Sequence, residues 1–307
     1  MKRQVVIVAL TLAIPCLAVA QTATAPTAST AFQPNVAAVP YGSNQGAGQT
    51  FVHDGVTLYC EVYGEGEPLL IIHGNGGSIG TLAAQIAFFR SRYRVIAMDS
   101  RDQGNSGDSP GKITYEKMTD DLAALLDHLK TGPVDVLGWS DGGIEALLLG
   151  IRHPAKVKKI AAMAANLNPS TNAVYPETLA MARTMIEAIP AAEKDTPQGR
   201  RAIKVTSMMF EEPSIAPSAL EAITAPTLVL ASDHDLIRDE HTLDIFHHVP
   251  NSQLCIFPGA THMVPYDAPA LFNATVERFF QAPFVKKDRI KDFLASYESM
   301  MASLQKK

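Results

Sequence analysis

A serine hydroxyl is a weak nucleophile at neutral pH and reacts only beside a base that takes its proton. The segment Gly138-Trp139-Ser140-Asp141-Gly142-Gly143 sets up such a serine. Ser140 stands in a G-x-S-x-G spacing, between a short apolar run ending at Leu137 and a helical pattern beginning at Gly142. A tight strand-to-helix turn at this point lifts the hydroxyl clear of the strand, and the glycines leave room for the backbone to make it. His262, in Pro258-Gly259-Ala260-Thr261-His262 after the last apolar run, is the natural base. An imidazole acting as base needs a carboxylate to orient it. Asp233 and Asp235 both follow the run Thr227-Leu228-Val229-Leu230-Ala231, and either can serve. A metal reading through His241, Asp244 and His248 on one helix face is weak, because a metal site needs three or four convergent ligands. No metal and no other cofactor is expected.

Positioning these groups requires strands that end on one side of a sheet. Phe51-Val52 and residues 56–63 flank Asp54-Gly55, which reads as a hairpin. Runs at 68–72, 94–98, 134–137, 157–164, 227–231 and 253–257 are short and continuously apolar, as strands buried on both faces are. Helical spacing separates them at 79–89, 115–129, 142–152, 240–247 and 267–280. Such alternation predicts βαβ units and a parallel sheet. It stops between residues 166 and 222, a helical, Met-rich stretch that reads as an insertion over the sheet edge. Met163, Met181, Met185, Met208 and Met209 are candidates to line an adaptable apolar pocket there.

The order serine, acid, histidine, the glycine-bounded Ser140 and the Gly-Ala-Thr-His segment together resemble the α/β-hydrolase superfamily over about residues 50–282. The elbow itself looks like that of valacyclovir-hydrolase-like members. The resemblance implies a mostly parallel α/β-hydrolase sheet flanked by helices, with a helical cap insertion. The family's Gly-x-x-Asp pattern, with Ser232 in place of the glycine, selects Asp235 over Asp233 as the acid. His73-Gly74-Asn75-Gly76-Gly77-Ser78 matches the family's oxyanion segment, and the resemblance implies oxyanion donors from Asn75 and Asp141. A phosphate cradle at residues 73–78 would require a Gly-Lys-Ser/Thr ending, which is missing. Residues 98–106 resemble the family's D-x-R-G-x-G-x-S loop, so Asp99 and Arg101 read as an ion pair holding it. Asp102 stands where glycine is usual, which leaves a role at the pocket rim open.

These features imply a serine hydrolase cleaving a carboxylic ester, or a lactone or activated amide, through an acyl-enzyme. The serine at the elbow argues against dehalogenase and epoxide hydrolase members, whose nucleophile is an aspartate. Cofactor-free perhydrolases and C–C bond hydrolases share the triad and stay open. A non-catalytic binding protein is disfavoured, because serine, histidine, acid and oxyanion segment are all present. The expected partner is a small ester-like molecule. With 26 basic and 31 acidic residues the formal net charge is −5, so no basic footprint for nucleic acid is apparent. Only 19% of the 307 residues are charged and 47% are hydrophobic, which excludes disorder as the dominant state.

Lys2-Arg3, an apolar run broken by Pro15, and Ala18-Val19-Ala20 have the order of a secretory signal peptide over residues 1–20. Cleavage after Ala20 would give a secreted or periplasmic protein with no stable membrane span. Residues 21–48 read as a flexible linker, 49–283 as the hydrolase domain with its cap at about 166–222, and 284–307 as a C-terminal amphipathic helix. Ile290, Phe293, Leu294, Tyr297, Met301 and Leu304 share one face of that helix. The short link through Pro283 favours packing on the chain's own helices over packing on a second subunit in a homodimer. Cys60 and Cys255 fall on strands that the resemblance places at opposite edges of the sheet, too far apart for a disulfide.

Overall fold

The structure, a computed structural model, describes residues 39–304. The signal-peptide reading and most of the linker therefore lie outside the described residues. Eight strands form one sheet: β1 (Gly48–His53), β2 (Val56–Tyr63), β3 (Glu67–Ile72), β4 (Tyr93–Asp99), β5 (Val134–Trp139), β6 (Val157–Met163), β7 (Thr227–His234) and β8 (Ser252–Thr261). Their order is β1-β2-β4-β3-β5-β6-β7-β8. β1 and β2 pair antiparallel, β2 pairs antiparallel with β4, and every later pairing is parallel. The hairpin turns on Asp54 and Gly55, both at positive φ (48° and 73°), which matches the right-handed twist of the flanking strands.

Alternate side chains of β3 enter different cores. Leu70 and Ile72 join a cluster with Leu122 and Leu125 of α2 (Tyr115–His128) and Ile144 and Leu148 of α3 (Asp141–Arg152). Leu69 and Ile71 join the opposite cluster, with Ile86 and Phe89 beside α1 (Ala83–Phe89). The two-residue period of a strand buried on both faces produces this division. The C-terminal ends of β3, β4, β5, β7 and β8 all open toward one edge, with β4 and β5 on either side of β3. That is where an open α/β sheet offers a crevice to ligands.

Between β6 and β7 come α4 (Pro176–Glu187), α5 (Ala191–Lys194) and α6 (Pro197–Glu211). After β7 come α7 (Asp239–His248), then α8 (Val264–Asp267), α9 (Pro269–Gln281) and α10 (Arg289–Leu304). Among the described residues no helix is long and apolar enough to cross a membrane.

Two expectations need correction here. Residues 39–47 are not loose: the N–H groups of Gly42 and Asn44 donate to the buried Glu61 carboxylate at 2.7 and 2.9 Å, and Tyr41 packs edge-on to Tyr63. The tail helix does not pack on its own chain. No residue of α10 is buried, and Ile290 and Phe293 are 69% and 62% exposed. The neighbouring sheet face is already covered by Phe272, Val276, Phe279 and Phe280 of α9, so the next apolar stripe in sequence finds that face occupied. Cys60 and Cys255 are both free, on β2 and β8.

Candidate active site

The turn after β5 forces Ser140 to φ 59° and ψ −119°, a conformation that L residues rarely adopt. The chain passes so close to itself that a Cβ on Gly138 would overlap the Gly142 carbonyl, and one on Gly142 would overlap the Ile72 carbonyl. The glycines are thus required by space, and they deliver Ser140 to the start of α3 at the sheet edge.

Ser140 Oγ lies 3.0 Å from His262 Nε2, and His262 Nδ1 lies 2.6 Å from Asp235 Oδ1. With the ring proton on Nδ1, that N–H donates to the carboxylate and Nε2 is free to accept from the serine. The Asp235 side chain is fully enclosed. Its Oδ1 also accepts from Leu236 N at 2.7 Å. Asp233, two residues earlier, accepts from Gly259 N (2.8 Å) and Ala260 N (3.1 Å). These N–H bonds pull its carboxyl below the ordinary value and fasten the loop that carries His262. Trp139 Nε1 donates to the His262 carbonyl at 2.9 Å, a second restraint on that loop.

The loop after β3 comes up beside the elbow. The backbone N–H groups of Asn75 and Asp141 take no part in the loop and cap hydrogen bonds of the described residues. Both residues line the same cavity as Ser140. The Asn75 side chain donates to Asp141 Oδ2 (2.9 Å) and to the Val205 carbonyl of α6 (3.0 Å). Buried His73 accepts from Ser100 N at 3.0 Å through Nε2, and burial lowers its pKa. Burial raises the Asp141 carboxyl, with Tyr115 and Asn75 opposing through hydrogen bonds. Glu145, one turn along α3, is pushed well above the usual carboxylate range by burial and by Asp141 and Asp121.

The cavity above Ser140 is about 500 Å³ and mostly apolar. Val174, Leu179, Met181, Met185, Met209, Leu236, Ile237 and Met263 line it. Of the five methionines suspected from sequence, Met181, Met185 and Met209 reach it, whereas Met163 and Met208 are buried in the core. Tyr115, Thr178, Glu212 and His234 also line it. Sequence reasoning did not select them. For Tyr115 the available signal was its place at the first turn of α2, just beyond the loop that follows β4. Among the described residues, no lysine or arginine lines the cavity. A surface cleft of about 620 Å³ lies by His53, Lys117 and Arg152; among the described residues that line it there is no serine, threonine or cysteine, and most of its charges pair with each other, as in Arg152–Asp120.

The loop after β4 departs from expectation. Arg101 forms its ion pair with Asp121 of α2 through two 2.6 Å bonds, not with Asp99. Asp99 instead accepts from Ile79 N and Asn105 N, both at 2.7 Å. Asp102 is buried, does not line the cavity, and accepts from Lys204 of α6. His241 Nε2 accepts from Leu167 N at 2.9 Å. Among the described residues, no three or more His, Cys, Asp or Glu side chains are grouped to hold a metal.

The sequence profile of the alpha/beta hydrolase fold matches residues 67–184. An α/β hydrolase enzyme from a Medee basin deep-sea metagenome superposes with a TM-score of 0.68 at 20% identity, covering 78% of this chain and all of that one. Serine hydrolase BPHL of Mus musculus is 28% identical over 250 residues, 74% of this chain and 84% of the relative. The (E)-2-((N-methylformamido)methylene)succinate hydrolase of Acinetobacter baylyi is 24% identical over 249 residues, 71% of this chain and 92% of the relative. The fold is that of the α/β hydrolases, residues 67–184 match that fold's sequence profile, and the similarity to named hydrolases supports a hydrolytic enzyme. Among serine hydrolases it is similar to BPHL.

Proposed function

We propose that the chain hydrolyses carboxylic esters, or close relatives such as lactones and activated amides, through an acyl-enzyme. The observation that carries this reading is the unbroken relay from Ser140 Oγ (3.0 Å) through His262 to Asp235 (2.6 Å), opening into an apolar cavity. Ser140 attacks the acyl carbon while His262 Nε2 takes the hydroxyl proton. The resulting imidazolium is stabilised by Asp235. The negative charge on the former carbonyl oxygen is met by the N–H groups of Asn75 and Asp141, and such a donor is worth roughly 3 kcal/mol of barrier. His262 returns the proton to the leaving alcohol, whose bond to the acyl carbon breaks. Water, activated by the same imidazole, then releases the acid. No step in this sequence needs a metal or an organic cofactor.

The lining favours an uncharged, flexible acyl or alcohol group. Methionine side chains adapt to irregular apolar shapes, and among the described residues no basic side chain other than histidine lines the cavity to hold an anion. A small ester-like molecule is the partner in this reading. The basic, apolar and A-x-A order of residues 1–20 supports export with cleavage after Ala20. Amino-terminal sequencing of the exported protein tests that point, and a retained Met1 defeats it.

A fluorophosphonate probe, followed by peptide mapping, tests the chemistry. It should label Ser140, and p-nitrophenyl butyrate should be turned over. An adduct on another residue, or no turnover of any acyl ester or lactone by folded protein, would overturn the reading.

A further inference from the structure

Helix α6 meets the sheet domain through a row of polar contacts. Arg201 Nε donates to Asp108 at 2.6 Å, and Lys112 pairs with Glu211 and Glu212 at 3.2 and 2.9 Å. Between them, Lys204 Nζ donates to Asp102 Oδ1 (2.8 Å), to the Ser109 carbonyl (2.7 Å) and to Ser109 Oγ (3.0 Å). All three ammonium hydrogens thus have an acceptor in the loop after β4. Asp102 is itself unusual: it sits at φ 61°, where only glycine is free of steric cost. A non-glycine residue persists in such a conformation when its surroundings hold it there. Here its buried carboxylate gathers Lys204 together with the N–H and hydroxyl of Ser109.

The next residue of α6 faces the catalytic edge. The Val205 carbonyl accepts from Asn75 Nδ2, whose other hydrogen reaches Asp141 Oδ2. Residues 204 and 205 therefore join the loop after β4, the cap and the two oxyanion donors in one chain of contacts. Both Asn75 bonds are of ordinary length, 2.9 and 3.0 Å. A shift of α6 by about 1 Å would carry Val205 out of hydrogen-bond range.

We propose that Asp102 and Lys204 are positioning residues: their ion pair seats α6 and, through the Val205 carbonyl and the Asn75 carboxamide, sets the place of the oxyanion donors. This deepens the ester-hydrolase reading and rests on it. Cap seating and oxyanion-hole geometry are then one event, felt even by a substrate too small to touch the cap.

The test uses p-nitrophenyl acetate with Asp102→Gly, Lys204→Met, Lys204→Arg and the Asp102→Gly/Lys204→Met pair. Glycine relaxes the backbone at position 102, so that variant keeps its fold, as its thermal midpoint will verify. In Asp102→Gly and Lys204→Met, kcat for acetate should fall about tenfold, with KM within about twofold, because donors displaced by a fraction of an ångström lose part of their stabilisation. The double variant should be no worse than the weaker single one, since both break the same contact. Lys204→Arg should recover part of the loss. The rate of fluorophosphonate labelling at Ser140 should fall in parallel. An unchanged kcat for acetate, with raised KM only for long acyl chains, would show α6 to be a pocket wall and overturn the proposal. Additive losses in the double variant would do the same. If the wild-type protein neither labels nor turns over acetate, the hydrolytic reading is what fails. The latch is then judged by amide hydrogen exchange at residues 73–78: faster exchange in both single variants upholds it, and unchanged exchange overturns it.

Discussion

The sheet edge and the two long cap helices build the same cavity by different means. At the edge, space is set by backbone: Gly138, Gly142 and Gly143 leave no room for a side chain, and Ser140 is held at φ 59°. Above it, α4 buries only Thr178 and Ala182, and Met181 and Met185 remain 43% and 53% exposed. α6, by contrast, is fastened by ion pairs along its length. In the proposed reading, chemistry is anchored where the backbone permits one arrangement, and substrate fit is left to side chains that can rearrange. The cavity has one fixed wall, at the elbow and α6, and one compliant wall at α4.

If the edge carries the chemistry, its substitutions should dwarf those in the cap. Ser140→Ala and His262→Ala should each lower kcat for p-nitrophenyl butyrate by about a millionfold, with the thermal midpoint little changed. A variant keeping a tenth of the wild-type rate would move the chemistry elsewhere. The two neighbouring acids should then separate. Asp235→Asn should cost about ten-thousandfold by spoiling the imidazole's orientation. Asp233→Asn removes one of the two oxygens that accept from Gly259 and Ala260 and should cost less than about tenfold. The reverse ranking would assign the orienting role to the wrong carboxylate.

On the compliant wall, Met181→Ala and Met185→Ala should raise KM for long acyl chains a few-fold, about 1 kcal/mol each, and leave acetate kcat alone. An equal loss on acetate would show that α4 is as tightly coupled to the chemistry as the elbow.

The smallest effect on catalysis lies at the other end of the strand that carries the elbow. Burial lifts the Asp135 carboxyl from 3.8 to about 6, with Lys159 and Lys158 opposing. The folded chain thus keeps a proton that the unfolded chain has released between about pH 4 and pH 6. Stability falls as pH rises through that window, and the penalty is complete above it. Asp135→Asn should stabilise the protein at pH 8 by on the order of 2 kcal/mol, do little at pH 4, and leave kcat untouched. Denaturant unfolding at the two pH values checks this, and equal stabilisation at both would refute the assignment.

The sequence was most legible where function constrains the local backbone. The glycines around Ser140, the Gly-containing loop before His262 and the Asp54-Gly55 turn announce their conformations within six residues. The sheet followed from apolar runs of strand length. Less was legible where a side chain's partner comes from tertiary packing. Asp99 is the near neighbour of Arg101 in sequence, but the Arg101 guanidinium is met by Asp121 once α2 packs across the loop. Met163 and Met208 could not be told from Met181 and Met209, because methionine spacing is alike for a core and for a cavity wall. Tyr115 became visible only when α2 brought it beside Asp141. The tail's apolar stripe was correctly read as amphipathic and wrongly seated, because amphipathicity says that a face wants cover and not which surface is vacant.

Glu61 has a consequence for how far the amino terminus tolerates trimming by proteases. Its carboxylate, fully buried on β2, collects Gly42 N, Asn44 N and the hydroxyls of Tyr59 and Tyr63. A cut ahead of residue 39 leaves all four donors in place. A cut after Asn44 takes two donors from a buried carboxylate that keeps only the tyrosine hydroxyls, at about 1–3 kcal/mol for each lost bond. Maturation by digestion should therefore stall at a boundary drawn by one acidic side chain, several residues before the first strand begins.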